Sequence, residues 1–370
     1  MKKATVIRLG AWGDMVICSP VFRLLKEQGY HVSLNCRKAT ASVFDNNPNI
    51  DEFIFHDEGM PNGDALTRFW KSLEEKCDRF INLSGSIEEG LLPAEGKHVP
   101  YNWSHELRHA KFNVNYYDRT LELAGFPEVK GLNGEVYFSA DELAWGQKLR
   151  DQYRNRFWVL WALSGSSFHK TYPWAEKVAK TFLDRHRGAM TMTVGDDLCR
   201  LLEWEHPQNK KRAHLWSTDF RKSMIACKFA DMVVSAETGI ANVAGCFDTP
   251  KAIMLSHSSV ENLTKYWVNC KSLTPTNASC YPCHKLHYTL KSCPLDTLAE
   301  IPEKMRSVDQ CLGGNVEAPI CTSRMKPETV LAALEEAYDN WKHRRNHGWS
   351  HVGATAAEAR PEESQPHAVL

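Results

Sequence analysis

A short β-rich run, a glycine turn carrying one acid and an apolar-periodic helix follow one another at the start of the chain. Ala4 to Leu9 reads as a strand, Gly10-Ala11-Trp12-Gly13-Asp14 breaks it, and Met15 to Gln28 has helical spacing. A strand that ends in a glycine turn and opens a helix is where open α/β sheets place their ligands. Asp14 therefore starts at a candidate active-site edge. It also stands where a helix wants an N-cap, and Asp is among the best caps, so capping competes with catalysis as its explanation.

The pattern continues. Tyr30 to Cys36 alternates as a strand, Lys38 to Asn47 reads as a helix, and Glu52 to His56 as a strand. Ala65 to Cys77 has helical spacing and Arg79 to Leu83 is an apolar strand. The Glu-, Gly- and Pro-rich stretch from Ser86 to Tyr101 reads as an excursion loop, and His105 to Ala124 as one helix. A second α/β unit opens with the apolar run Phe157 to Leu163, closed by Ser164-Gly165-Ser166-Ser167. Helices over Pro173–Arg187, Asp219–Phe229 and Gly239–Cys246 then alternate with strands at Met190–Val194, Met232–Ser235 and Lys251–Leu255. Strands alternating with helices imply parallel sheets with right-handed crossovers, and the restart implies two doubly wound domains. The boundaries fall at 1–150 and 151–326, with a cysteine-rich loop at 280–321 in the second domain. A long amphipathic helix covers 327–345, and residues 346–370 lack periodicity and read as a disordered tail.

At 370 residues the chain is too long for one average core. Its formal net charge is zero, so no global field favours nucleic acid or acidic lipid. No apolar run reaches the roughly 18 residues of a membrane span, and the N-terminus lacks a signal-peptide apolar region. The expected residence is cytoplasmic, with peripheral contact at the inner face of a membrane left open. The twelve cysteines read as thiols in that setting, not as a disulfide framework.

Two further turns offer chemistry. Ser164-Gly165-Ser166-Ser167-Phe168-His169-Lys170 combines small hydroxyl residues, free backbone amides and one lysine, which suits a diphosphate. A polar loop with a surface lysine explains the same residues. Ser235-Ala236-Glu237-Thr238-Gly239, leading into Ile240-Ala241-Asn242, joins a β-branched strand to a small-residue helix. There the helix start offers amides to phosphate and Glu237 an acceptor to sugar hydroxyls, or Thr238 simply caps the helix. Gly10-x-x-Gly13 is not the G-x-G-x-x-G fingerprint, which disfavours a nicotinamide site.

The order of these turns, with the Asn47-to-Asp51 segment, resembles glycosyltransferase family 9, the ADP-heptose:lipopolysaccharide heptosyltransferases. The shared pieces are Gly13-Asp14 with Ser19-Pro20, Lys170-Thr171-Tyr172-Pro173, Glu237-Thr238-Gly239 through Ala244, Cys280-x-x-Cys283, and Met325-x-Pro327-Glu328-x-Val330. The chain departs from the family at Glu237, where Asp is usual, and at Asn242, where His is usual. The resemblance implies a GT-B fold of two Rossmann-like domains facing across a cleft, with the helix from Pro327 crossing back to the first domain. It implies an inverting, metal-independent transfer of a heptose or other hexose-like sugar from a nucleoside-diphosphate donor to an acceptor hydroxyl, on a lipopolysaccharide core or related glycan or glycolipid. Asp14 is then the general base, on a turn with Gly10, Trp12 and Gly13 at the acceptor side. Ser166 and Lys170 hold the donor diphosphate; Glu237, Thr238, Gly239 and Asn242 complete the donor site.

Two rival functions remain open at this stage: transfer to a hydroxymethylated nucleic-acid base, and non-catalytic binding of a nucleotide sugar. No cofactor beyond the donor is expected. Cys280 and Cys283, with Cys293 and Cys311 (or Cys321), offer a structural zinc site, although one C-x-x-C without a matched second pair equally describes buried thiols.

Overall fold

The computed structural model describes residues 1–56, 61–163, 165–195, 212–215, 219–289, 292–298 and 317–346. The expectations for Ser164, Cys199, Cys311 and the tail beyond residue 346 lie outside them.

Strands β1 (Lys2–Ile7), β2 (Tyr30–Cys36), β3 (Glu52–Phe55) and β4 (Arg79–Asn82) form a parallel sheet in the order β3-β2-β1-β4. A second parallel sheet contains β5 (Phe157–Ala162), β6 (Ala189–Val194), β7 (Arg212–Leu215), β8 (Met232–Ala236), β9 (Lys251–Met254) and β10 (Cys270–Leu273). Its order is β10-β9-β8-β5-β6-β7. Every residue of β5, β6, β8 and β9 is buried, as expected of central parallel strands covered on both faces. A short antiparallel ladder pairs β11 (Leu295–Thr297) with β12 (Glu317–Pro319).

Helices α1 (Trp12–Glu27), α2 (Lys38–Ala41) and α3 (Gly63–Glu74) alternate with the first sheet's strands. Next come α4 (His105–Phe112), α5 (Tyr116–Leu123) and α6 (Ala140–Gln152). In the second unit α7 (Ala175–Arg185), α8 (Phe220–Phe229) and α9 (Gly239–Gly245) alternate with strands, and α10 (Ile320–Ser323) and α11 (Pro327–Asn346) close the described chain. None of these helices is long and apolar enough to cross a membrane.

In each sheet the strand that opens the unit lies where the strand order reverses: β1 beside β4, and β5 beside β8. Ligands of doubly wound sheets bind beyond the carboxyl ends of such a pair. All three expected turns, after β1, β5 and β8, and a fourth after β4, leave the sheets there.

Several expectations change. The helix read over His105–Ala124 is two helices, because the Asn115 side chain caps α5 by accepting the amides of Tyr117 and Asp118 at 3.0 and 3.2 Å. The helix read from Lys38 ends at Ala41 and tightens into a 3-10 turn at Ser42–Phe44. Pro20 lies inside α1; the Val16 carbonyl that it cannot pair accepts the Ser19 hydroxyl at 2.7 Å instead.

Helix α11 does not cross back to the first domain within the described residues. Its stripe Val330, Leu334, Tyr338 and Trp341 is buried against Phe157, Phe182 and Leu183 of the second domain. Glu335 pairs with Arg185 and His186, and Glu336 with Lys271, all second-domain residues. The domains are tied elsewhere. Asn262 donates to the carbonyls of Phe112 and Val114 at 2.7 and 2.8 Å, and Tyr266 donates to Asp118 at 2.9 Å. Val16 and Phe22 of α1 share one core with Val243 and Phe247 of the second domain.

Candidate active site

A cavity of about 770 Å³ opens between the two sheets' carboxyl ends. Asp14, Glu88, Gly165, Ser166, Lys170, Glu237, Thr238, Gly239, Asn242 and His257 all line it. The expected residues thus meet in one place, joined by Arg8, Glu88, His257 and Phe220, which the sequence reading did not single out.

On the first-domain side, Asp14 is not the N-cap of α1. Ala11 holds that position, and Asp14 sits at the third helical residue, where Oδ2 accepts the Ala11 amide at 2.8 Å. Capping from inside the helix leaves Oδ1 for a second partner: Arg8 Nη2 lies 3.1 Å from it. The same nitrogen reaches Glu88 Oε2 at 3.1 Å, while Nη1 donates to the Leu83 carbonyl at 3.1 Å. Arg8 is 1% exposed, so one buried guanidinium holds two carboxylates from different turns. Burial and the Glu88 charge push the Asp14 carboxyl up to about 8 against the pull of Arg8, and Arg8 holds Glu88 below its usual range.

Gly10 is required by this arrangement. A Cβ there would come 2.6 Å from Asp14 Cβ and 3.0 Å from Arg8 Cζ. Gly13 faces the other domain, where a Cβ would come 2.9 Å from Asn242 Nδ2. Trp12 stacks on Phe220 at 4.7 Å with 10° between the rings, pinning the Gly10–Asp14 turn to α8.

On the second-domain side, Lys170 ends a 3-10 turn and is 9% exposed. Its ammonium donates to Ser166 Oγ at 3.3 Å, and no ion pair holds it among the described residues. Burial lowers its proton affinity, while the nearby charges of Glu237, Asp14 and Glu88 raise it. A buried ammonium with one hydroxyl partner keeps donors free for an anion.

Glu237 does something other than wait for a sugar. Its Oε2 accepts from the Ser256 amide (2.8 Å), the Ser256 hydroxyl (2.5 Å), the His257 amide (3.1 Å) and His257 Nδ1 (2.8 Å). Its Oε1 accepts the Ser258 amide at 2.8 Å. These donors hold the carboxylate far below its usual range and tie the Ser256–Ser258 turn to the end of β8. One lone pair of Oε1 remains for a ligand hydroxyl. Thr238 caps α9 by accepting the Ala241 amide at 3.4 Å. Asn242 donates to the Thr238 carbonyl at 3.0 Å and accepts the Tyr117 hydroxyl at 3.4 Å, so it bridges the domains as well as lining the cavity.

Of the four cysteines offered as a zinc site, Cys311 lies outside the described residues. Cys293 is hydrogen-bonded to Cys321, the partner named as the alternative to Cys311. Cys283 Sγ lies 3.6 Å from His287 Nε2. Among the described residues no group of three or more His, Cys, Asp or Glu side chains is arranged to hold a metal ion.

No family model and no curated protein matches the sequence. Solved structures do. The chain is similar to E. coli ADP-heptose lps heptosyltransferase II at 14% identity, covering 92% of this chain and 99% of that one, with a TM-score of 0.58. It is similar to the glycosyl transferase family 9 protein of Veillonella parvula at 15% identity, 92% and 98% coverage and a TM-score of 0.57. The iron-containing dodecameric glycosyltransferase TibC of enterotoxigenic E. coli follows at 11% identity, 92% and 78% coverage and a TM-score of 0.53. This is the family that the order of turns resembled, and the chain has its GT-B fold of two Rossmann-like domains.

Proposed function

We propose that the chain is a glycosyltransferase that moves a sugar from a nucleoside-diphosphate donor to an acceptor hydroxyl in a single inverting displacement. One observation carries this reading: a buried ammonium, Lys170, and a half-buried acid of raised proton affinity, Asp14, line the same cavity from opposite domains. The cavity's size suits a nucleotide sugar. Lys170 and Ser166 take the donor diphosphate, and Thr238, Gly239, Asn242 and the free lone pair of Glu237 flank its sugar. Asp14 takes the acceptor proton as the glycosidic bond forms. The bond from the anomeric carbon to phosphate breaks with its electron pair, and Lys170 faces the charge that builds there. No metal is assigned a part in these steps.

Ile17, Ile87, Leu92 and Tyr116 wall the cavity beside the two acids, and among the described residues Lys170 is the only Lys or Arg side chain in its lining. That wall suits an uncharged hydroxyl of a glycan or glycolipid. It gives no support to a nucleic-acid acceptor, whose phosphates need several cations. Solved relatives named for ADP-heptose make that donor the first to test. Titration with ADP-heptose, UDP-glucose and the free diphosphates, read by thermal shift, tests the donor site: a bound donor raises the melting temperature. Lys170→Met should need about 30 times more donor for the same rise. A donor-induced shift of the parent's size at the same donor concentration in that variant contradicts the assignment.

A further inference from the structure

Glu88 comes from the turn after β4, which the sequence presents only as an acid-rich loop. In the structure that turn brings Ile87 and Glu88 into the cavity beside Asp14. Both carboxylates lean on one guanidinium: Arg8 Nη2 is 3.1 Å from Asp14 Oδ1, 3.1 Å from Glu88 Oε2 and 3.3 Å from Glu88 Oε1. Arg8 itself is fixed by the Leu83 carbonyl at 3.1 Å, so it cannot follow one acid and abandon the other.

We propose that Glu88 is a positioning residue for the acceptor side: with Arg8 it forms a two-acid clamp, and its charge keeps Asp14 basic enough to take the acceptor's proton. This rests on the glycosyl-transfer reading for its purpose, but the clamp can be measured without it.

The charge count makes the case. With both acids ionised the clamp carries one negative charge in excess of Arg8, inside a partly closed cavity. One proton removes the excess, so the pair holds a single proton below its upper titration and none above it. Around Asp14 stand Arg8 after β1, Glu88 after β4, Cys18 on its own helix, Tyr116 on α5 and Lys170 from the second domain. Burial keeps the Cys18 thiol and the Tyr116 phenol neutral, which leaves Arg8, Glu88 and Lys170 as the charges that set Asp14. Glu88 is the one among them that strengthens it as a base. In turnover the acceptor O–H bond breaks as its oxygen bonds the anomeric carbon. The proton lands on Asp14, and the diphosphate leaves with the electron pair of its bond to that carbon.

Carbon NMR of the full chain, labelled at its aspartate side-chain carboxyls, tests this. The Asp14 signal is the one missing from Asp14→Asn. It should titrate near 8 in the parent protein, fall by about one pH unit or more in Glu88→Gln, and stay raised in Glu88→Asp, which keeps the charge. Glu88→Ala makes the same prediction as Glu88→Gln if the latter does not fold. Release of nucleoside diphosphate from ADP-heptose, followed against pH in parallel, should lose its rise towards pH 8 in Glu88→Gln. A midpoint that is unmoved in Glu88→Gln and Glu88→Ala overturns the clamp, whatever the activity. A midpoint that moves in a protein turning over no nucleotide sugar keeps the clamp and overturns the glycosyl-transfer reading.

Discussion

His257 Nδ1 lies 2.8 Å from Glu237 Oε2, and both side chains are almost fully buried. The pair places the sequence's most conspicuous donor-site acid in a structural role. Five donors from Ser256, His257 and Ser258 converge on the carboxylate, so Glu237→Gln removes the charge they are arranged around. We expect a loss of about 2 to 4 kcal/mol of stability, measured by urea unfolding. If Glu237 served only as a ligand for sugar hydroxyls, the variant would unfold at the parent's urea concentration.

The same neighbourhood makes the protein acid-labile. Burial holds His169 and His257 below their free value of 6.5, His284 at about 3 and His287 at about 4. A histidine lowered by folding takes its proton only in the unfolded chain. Its contribution is therefore complete above 6.5 and is lost as pH falls towards the folded value, by about 1.4 kcal/mol per pH unit for each residue. The Glu237 contribution has the same sign and is lost further down, below the free carboxyl value of 4.5. Asp14, raised to about 8, has the opposite sign and costs stability as pH rises towards 8, but four histidines outweigh one carboxyl on the acid side, so melting temperature should fall steeply from about pH 6 to 4. A level profile across that range contradicts the burial of neutral histidines.

Lys170→Met keeps the length and apolar stem of the side chain and deletes the ammonium. Diphosphate affinity should fall by a factor of about 30 or more, from a lost charged hydrogen bond of about 2 kcal/mol. Stability should be unchanged or higher, because a buried charge is removed. Calorimetric titration with ADP checks the first, urea unfolding the second.

Gly13→Ala tests how closely the domains meet. The added Cβ would come 2.9 Å from Asn242 Nδ2, the atom that donates to the Thr238 carbonyl. We expect about 1 to 3 kcal/mol of destabilisation and weaker donor binding together. Undisturbed stability would mean that the two turns are not in contact in solution.

How much of this the sequence carried follows from physical range. The central strands were legible, because parallel strands buried on both faces read as apolar runs such as Phe157 to Ala162. Asp14, Lys170 and the Glu237–Asn242 turn were legible because each directly follows such a strand. Arg8 and Glu88 were not: they meet 80 residues apart in sequence, through the β1–β4 pairing, which no local pattern encodes. A charged residue inside the apolar run Val6-Ile7-Arg8-Leu9 was the only available sign. Asp14's cap register failed for a similar reason: an acid at the third helical position accepts the amide of the N-cap residue and one at the N-cap accepts amides two or three residues on, and both read in sequence as an acid at a helix start. Helix α11 misled because its apolar stripe reads the same against either domain.

The most direct test compares parent and Asp14→Asn for two quantities at once: ADP-heptose binding by calorimetry, and release of ADP from it in the presence of a hydroxyl-bearing glycan acceptor. The account predicts donor affinity within a factor of about two and a rate lower by about 10² to 10⁴. Equal rates in the two proteins would contradict it and leave Asp14 as a clamp on the first turn of α1.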